Sequence, residues 1–212
     1  MQDSYETIAA AARPEGEVED RKSRFIAQLA HVASEREARA FVDAVRARHH
    51  DARHNVPAWI LADGREKRSD DGEPQGTAGQ PTLDVLRGAN LRDVCCVTTR
   101  YFGGTLLGPG GLVRAYTAAA QAAVASAREA GQVVTMTLVT RVTCSVPYGA
   151  YERVRRMAAD AHGVLKDTIF AEDVQLTWVF PAGDEVAFTR AMVDFANGED
   201  LCVVGEPAFG EL

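Results

Sequence analysis

The sequence lacks the features that would place a protein in a membrane or outside the cell. No apolar run approaches the roughly 18 to 20 residues that a membrane-spanning helix needs. The first segment, MQDSYETIAAAARPEGEVED, has no basic start followed by an apolar stretch, so we expect no secretory signal. The 4 cysteines show no CxxC spacing and lie in apolar, strand-like segments, which favours buried reduced thiols over disulfides or a zinc site. We therefore expect a cytoplasmic protein without a membrane partner.

The sequence also lacks a surplus of positive charge. Its net charge of −7 argues against a protein that coats DNA, because neutralising phosphates requires an excess of lysine and arginine. The deficit is uneven, since residues 132–212 hold 6 basic and 12 acidic side chains whereas residues 1–131 hold 17 and 18. If one half contacts an anionic partner, we expect it to be the first half.

The pattern of predicted elements changes near residue 132. In the first part, a helix begins with a capping box at Ser34 and Glu37, and a long alanine-rich helix runs from about residue 111 to residue 130. From Val133 the order is strand–helix–strand–strand–helix–strand, which is that of a ferredoxin-like domain. The sequence therefore predicts an α+β protein with a βα-type first domain, residues 1–132, and a ferredoxin-like second domain, residues 133–212.

The most unusual segment is RYFGGTLLGPGGLVRAY, residues 100–116, which reads as the end of a strand, a loop and the start of a helix. Its glycines allow backbone amides to converge, and a helix N-terminus adds free N–H groups and the positive end of a dipole. Flanking arginines would complete a site for phosphate. The candidate anion-binding residues are Arg100, Gly103, Gly104, Gly108, Gly110, Gly111 and Arg114.

The same segment has a purely structural interpretation. The glycines could serve only tight turns and close packing, with Arg100 and Arg114 in structural ion pairs. The segment is neither a Walker loop, because no Gly-Lys-Ser/Thr follows, nor a dinucleotide fingerprint, because the glycine spacing differs.

A second candidate is the loop RSDDGEPQGTAGQP, which carries Asp70, Asp71 and Glu73. Three carboxylates within four residues could hold Mg²⁺ together with water and phosphate oxygens. They could instead pair with Arg100 or Arg114, or cap turns and a helix start. We favour ion pairing or a structural role over a metal, so the cofactor is not predicted and magnesium stays an alternative.

Three further basic residues belong to the candidate anion-binding set. Lys22 and Arg24, in DRKSRF, are expected on a strand edge where they could touch a phosphate backbone. His54 follows His50 at i,i+4 spacing, but a solvated helix end is the favoured interpretation. No Ser-His-Asp or Cys-His arrangement stands out, so an enzyme is not indicated.

Four segments, KSRFIA, DARHNVPAW, RSDDGEPQGTAGQPTLDVL and TRYFGGTLLGPGGLVRAYTAAA, resemble the IMPACT family, which includes bacterial YigZ-like proteins. One departure is Val56–Pro57, where relatives often carry a cysteine, while His54 is retained. The resemblance implies a first domain like the second domain of ribosomal small-subunit protein five. It also implies a second domain similar to the C-terminal domains of elongation factor G.

The resemblance implies a cytoplasmic RNA- or ribosome-binding protein that modulates translation through the glycine and arginine loop. One alternative is a Mg-dependent nucleotide-binding phosphotransferase or hydrolase, with the phosphate in the glycine loop and the metal in the carboxylate loop. Another is a protein-interaction adaptor that uses the acidic second domain. The sequence does not predict the oligomeric state.

Overall fold

The computed structural model describes residues 4–212, so the first three residues of the expected first domain lie outside the described residues. The chain divides into two compact units, Tyr5–Thr135 and Met136–Leu212 with Ser4. Each unit has its own apolar core. Within the described residues, no helix is both long and apolar enough to cross a bilayer.

The first unit is built around a five-stranded sheet with helices on both faces. The strands of this part are β1 (Ser4–Ile8), β2 (Glu15–Asp20), β3 (Ser23–His31), β4 (His54–Ile60), β5 (Glu66–Arg68) and β6 (Val94–Tyr101), and the helices are α1 (Glu35–Arg48), α2 (Gly79–Gly88) and α3 (Gly108–Glu129). The sheet is formed by β2 to β6 in the order β2-β3-β6-β4-β5, with every neighbouring pair antiparallel. Helix α1 packs on one face, and α2 and α3 pack on the other. Strand β6 is central and covered on both faces, so its residues are buried from Val94 to Arg100, polar side chains included.

Helix α1 begins as the sequence predicts. The Ser34 side chain accepts a hydrogen bond from the Glu37 amide, and the Glu37 carboxylate accepts one from the Ala33 amide. Ser34 therefore caps α1 as predicted, but the Glu37 carboxylate binds the amide of Ala33, one residue before the position that a capping box uses.

Helix α3 packs very closely on β2 because the residues at the contact, Gly16 on β2 and Ala122 and Ala123 on α3, have small side chains or none. A Cβ at Gly16 would lie 2.2 Å from the Ala123 backbone nitrogen, so only glycine fits. The helix begins at Gly108, three residues before the expected start, and Gly131 follows its end at φ 63°, in the left-handed conformation expected of a C-terminal glycine.

The hairpin between β2 and β3 corrects the expected position of Lys22. Arg21 and Lys22 are the two turn residues, at φ 47° and 67°, and only Arg24 lies on a strand. Two positive φ angles are the geometry of a type I′ turn, which matches the twist of the flanking strands. Strands β1, β2 and β5 are not predicted from the sequence.

In the second unit, two helices pack on one face of an antiparallel sheet. The elements are β7 (Val133–Val146), a 3₁₀ turn (Tyr148–Ala150), α4 (Tyr151–Asp160), β8 (Val164–Phe170), β9 (Val174–Pro181), α5 (Glu185–Phe195), β10 (Cys202–Val204) and β11 (Ala208–Glu211). Strand β7 lies between β9 and the β10–β11 pair, and β8 follows β9. This order is ferredoxin-like, and the predicted α+β class with a βα-type first domain is confirmed.

The last strand differs from the expected single one. It is split into β10 and β11 by Gly205–Pro207, where proline cannot donate to the ladder.

Candidate functional site

The candidate site centres on Arg100, near the end of the central strand β6. Phe25 on β3 and His54 on β4 lie directly opposite Arg100 in the two neighbouring strands, so the three side chains share one sheet face. Arg100 Nη1 donates to both carboxylate oxygens of Glu73, at 2.7 and 2.9 Å. The two side chains are only 8% and 3% exposed, so this is a buried ion pair.

Tyr116 on α3 completes the buried cluster. Its hydroxyl donates to Glu73 Oε1 at 2.8 Å, and its ring meets Phe25 edge-on. Burial, together with the Glu73 carboxylate, raises the pKa of Tyr116 far above its ordinary value, so the hydroxyl keeps its proton. One carboxylate therefore ties strand β6 and helix α3 to the loop of residues 69–79.

The cluster decides between the two interpretations of Arg100. Its guanidinium lies 5.3 Å from the Phe25 ring centroid and 5.7 Å from that of Phe102, and Nε is buried with no hydrogen-bond partner among the described residues. The structure favours the structural ion pair, because a phosphate would have to displace both Glu73 and the covering side chains to reach this group.

Asp70 has a different set of partners from Glu73. Its carboxylate accepts hydrogen bonds from the backbone amides of Gly76 at 2.8 Å, Ala78 at 3.1 Å and Gly79 at 2.8 Å. Burial acts to raise the pKa of Asp70, but the three amides outweigh it and hold that pKa below its ordinary value. Asp70 thus caps helix α2, which begins at Gly79, from nine residues away.

Asp71 faces yet another direction. Its carboxylate accepts from Arg46 of α1 and from the Asn55 amide, each at 2.7 Å. Its backbone carbonyl lies 2.7 Å from His54 Nδ1. A carbonyl can only accept, so Nδ1 of His54 carries a hydrogen, and the half-buried imidazole is held by the loop.

The three carboxylates therefore do not converge on a common point. Asp70 binds amides, Asp71 binds Arg46, and Glu73 binds Arg100 and Tyr116. In the part of the chain that the structure describes, no group of three or more His, Cys, Asp or Glu side chains is arranged to hold a metal ion. The arrangement does not favour the magnesium alternative.

The glycine loop, residues 102–107, crosses above this cluster and leads into α3. Positive φ angles occur at Gly104 and Gly108, whereas Gly103, Gly110 and Gly111 do not need them, which corrects the expected positions. Gly103 is required for a different reason, because its Cβ would lie 2.1 Å from the Lys22 carbonyl carbon. The loop and the hairpin turn are therefore in direct backbone contact.

The N-terminus of α3 has no side-chain cap. Leu107 occupies the capping position, and no side chain there accepts from the first amides. Gly110 is exposed and Gly111 is buried. The exposed Arg114 side chain extends back toward the helix start, and its Nη1 would be 3.7 Å from a Cβ built at Gly110. Arg114 lies in the second turn of α3, one turn later than expected.

The cations around the loop differ in availability. Arg24 is engaged by Glu17 through two hydrogen bonds, at 2.7 and 3.0 Å. Arg21 donates to the Leu106 carbonyl at 3.3 Å and, like Lys22, is exposed. For Lys22 and Arg114, residues 4–212 provide no ion-pair partner within 4.0 Å. We name the surface formed by Arg21, Lys22, residues 102–107 and Arg114 the loop surface.

Sequence reasoning missed Tyr116, Phe102 and Arg46. Tyr116 ends the glycine-rich segment and lies on the buried face of a helix, and Phe102 is an exposed aromatic residue directly before Gly103. Both signals are visible in the sequence, but neither residue type indicates a role without the fold.

Comparisons with known proteins cover both units. Residues 21–124 match the Impact N-terminal domain, and residues 144–199 match a domain of unknown function, DUF1949. The chain is 35% identical to the IMPACT family member YvyE of Bacillus subtilis over 100% of this chain and 95% of that protein. It is 36% identical to the IMPACT family member YigZ of Escherichia coli over 85% and 88% of the two chains.

Solved structures give the same picture of the fold. A crystal structure of a hypothetical protein superposes with a TM-score of 0.65 at 33% identity, covering 96% of this chain and 97% of the other.

Proposed function

The chain belongs to the IMPACT family, and from this premise we propose that it is a cytoplasmic RNA-binding modulator of translation. The RNA would be bound, free or on the ribosome, at the loop surface. The translational role is the one that the family resemblance implies, and the contact is argued below from the exposed groups of this chain.

The observation that supports RNA binding is the combination of free cations with exposed apolar groups. Lys22 and Arg114 are exposed, and Arg21 reaches the loop at Leu106. Phe102 is 49% exposed and Leu106 is 81% exposed. Single-stranded nucleic acid is typically bound by cations that contact phosphates beside aromatic rings on which bases stack. The loop surface offers both.

The uncapped start of α3 adds neutral donors to this surface. The first amides of a helix have no intrahelical acceptor, and the positive end of the dipole favours an anion there. Arg114 folds back over that turn. A phosphate at this position would contact the amides of Gly108 and Gly110 and the Arg114 guanidinium together.

The predicted site residues acquire different roles in this proposal. Lys22, Arg114 and the glycine amides contact the RNA, whereas Arg100 acts through Glu73 and Tyr116 to position the loop. Asp70, Asp71 and His54 order the neighbouring loop of residues 69–79.

The test is co-sedimentation with ribosomes, and anisotropy of labelled RNA, at low and high salt. The variant is Lys22→Asn with Arg114→Gln, because asparagine tolerates a positive φ angle and glutamine is a good helix former. The control is Lys166→Gln with Arg190→Gln, two exposed cations of the second unit, which removes the same charge.

We expect salt-sensitive association of the wild type and the control. The loop-surface variant should bind less tightly, with the slope of log affinity against log salt smaller by about one to two. The proposal is wrong if the control loses as much binding as the loop-surface variant, or if the wild type associates with neither ribosomes nor RNA.

A protein-interaction adaptor is the second candidate, favoured by one observation. The second unit exposes large apolar side chains on β8 and β10, with Phe170 62% and Val203 74% exposed. Such groups are typical of interaction surfaces. A stable protein partner that survives nuclease treatment and is lost in Phe170→Ser with Val203→Ser would support this role over RNA binding.

The phosphotransferase alternative gains no support from the geometry. The carboxylates that would hold Mg²⁺ are engaged separately by amides, Arg46 and Arg100. A thermal-shift titration with ATP and Mg²⁺ distinguishes it, because stabilisation lost in Asp71→Asn is expected only for that alternative.

A further inference from the structure

Two cysteines face each other across neighbouring strands of the second unit. Strands β10 and β7 are antiparallel, and Cys202 is directly opposite Cys144 in their register. Residues directly opposite in such a pair project their side chains to the same sheet face. The two thiols are therefore neighbours, although 58 positions separate them in the sequence.

The hydrogen-bond pattern determines which kind of pair they form. The Gly205 amide donates to the Arg141 carbonyl at 2.8 Å, and these two residues continue the same register. Because hydrogen-bonded and non-hydrogen-bonded pairs alternate along an antiparallel ladder, Cys202 and Cys144 form a non-hydrogen-bonded pair. Such pairs have Cα atoms about 4.5 Å apart, within the roughly 4.4 to 6.8 Å that a disulfide spans.

The surroundings of the pair differ from those of the other cysteines. Cys144 is 1% exposed, and Cys202, on a strand at the sheet edge, is partly exposed and gives solutes access. The hydrogen bond between the two thiols lowers the pKa of Cys144 and raises that of Cys202, so the two groups titrate as a pair. Cys95 and Cys96 are consecutive, point to opposite faces of β6 and are fully buried, and burial raises the pKa of Cys96 to about 12.

We propose that Cys144 and Cys202 are an oxidation site that closes reversibly into an intramolecular disulfide. Both S–H bonds break and one S–S bond forms. The two electrons and two protons pass to a peroxide, and with hydrogen peroxide the products are two water molecules. The bond fixes β10 to β7 covalently and encloses α4, β8, β9 and α5 in one loop, so it restrains unfolding of the ferredoxin-like unit. This inference is independent of RNA binding.

The test treats the reduced full-length chain with hydrogen peroxide and then alkylates the denatured protein for mass spectrometry. The 4 thiols of the untreated chain should fall to two after oxidation, with a peptide link between Cys144 and Cys202 that dithiothreitol reverses. The unfolding midpoint of the oxidised chain should rise and return on reduction.

Two single variants control for folding and specificity. Cys202→Ser changes the more exposed partner and should retain all three remaining thiols after oxidation, and Cys144→Ser should do the same if it folds. The proposal is overturned if peroxide leaves all four thiols free, if it forms disulfides between chains, or if the thiols lost are those of Cys95 and Cys96.

Discussion

Replacing Glu73 with leucine tests whether the buried cluster holds the loop surface together. The change removes the carboxylate that binds Arg100 and Tyr116 and leaves the guanidinium charged, 8% exposed and without its partner. Breaking a buried ion pair by removing one partner costs about 3 to 5 kcal/mol. The Tyr116 hydroxyl loses its acceptor as well, at a cost of about 1 to 3 kcal/mol, though the two losses are not additive.

We therefore expect the free energy of unfolding of the first unit to fall by about 4 kcal/mol. For a unit of this size, that corresponds to an unfolding midpoint lowered by roughly 10 to 20 °C. The chain has 2 tryptophans, Trp59 in the first unit and Trp178 in the second. In a Trp178→Phe background, Trp59 fluorescence during urea unfolding reports on the first unit alone.

The double variant Glu73→Leu with Arg100→Met separates the pair from the packing. Replacing both ions by apolar groups of similar volume is often neutral or stabilising, so the double variant should be more stable than Glu73→Leu. Glu73→Gln, which keeps an acceptor for Tyr116 but not the charge, should fall between wild type and Glu73→Leu. A cost below about 1 kcal/mol for Glu73→Leu, or single-variant costs that simply add in the double, would refute the reasoning.

Two further predictions concern the glycine loop and the carboxylate loop. Gly103→Ala places a Cβ 2.1 Å from the Lys22 backbone and should destabilise the first unit by about 1 to 3 kcal/mol. Gly110→Ala, whose Cβ would meet only the Arg114 guanidinium at 3.7 Å, should stabilise it by up to about 1 kcal/mol. Equal effects in urea unfolding would contradict the backbone contact. Because the folded-state pKa of Asp70 is below its ordinary value, its contribution to stability is present above about pH 4 to 5 and is lost as the pH falls through the folded pKa. In Asp70→Asn the unfolding midpoint should fall less as the pH is lowered than it does in the wild type. If the midpoint depends on pH in the same way in both proteins, the three amide hydrogen bonds of Asp70 contribute nothing to stability.

Local signals in the sequence were sufficient for the second unit and for α1. The cap that Ser34 forms on the Glu37 amide involves residues three positions apart, and the ferredoxin-like order follows from alternating periodicities along the chain. The strand β2, EGEVED, was missed because its residues are mostly charged. It is stabilised by pairing with β3 and by the packing of α3 on Gly16, which no local pattern reveals.

The sequence indicates Arg100 and the three loop carboxylates as candidates, but it indicates neither Tyr116 nor the connections among these side chains. Glu73 and Arg100 are 27 positions apart, and nothing in the sequence indicates that Glu73, and not Asp70 or Asp71, is the partner of Arg100. The start of α2 is hidden from the local sequence for the same reason, because the group that caps it, Asp70, lies outside the helix. The sequence shows which charged groups could pair, whereas the fold determines which of them do.

The contact between Gly103 and the Lys22 backbone affects how much conformational freedom the protein would lose on binding a ligand. Two exposed loops that rest on each other without an intervening side chain lose their freedom when the chain folds, not when a ligand arrives. Glycine-rich segments are usually regarded as sources of flexibility, yet here the missing side chain produces rigidity. A partner of this surface would encounter donors and cations already in place, so binding would require little ordering of the protein.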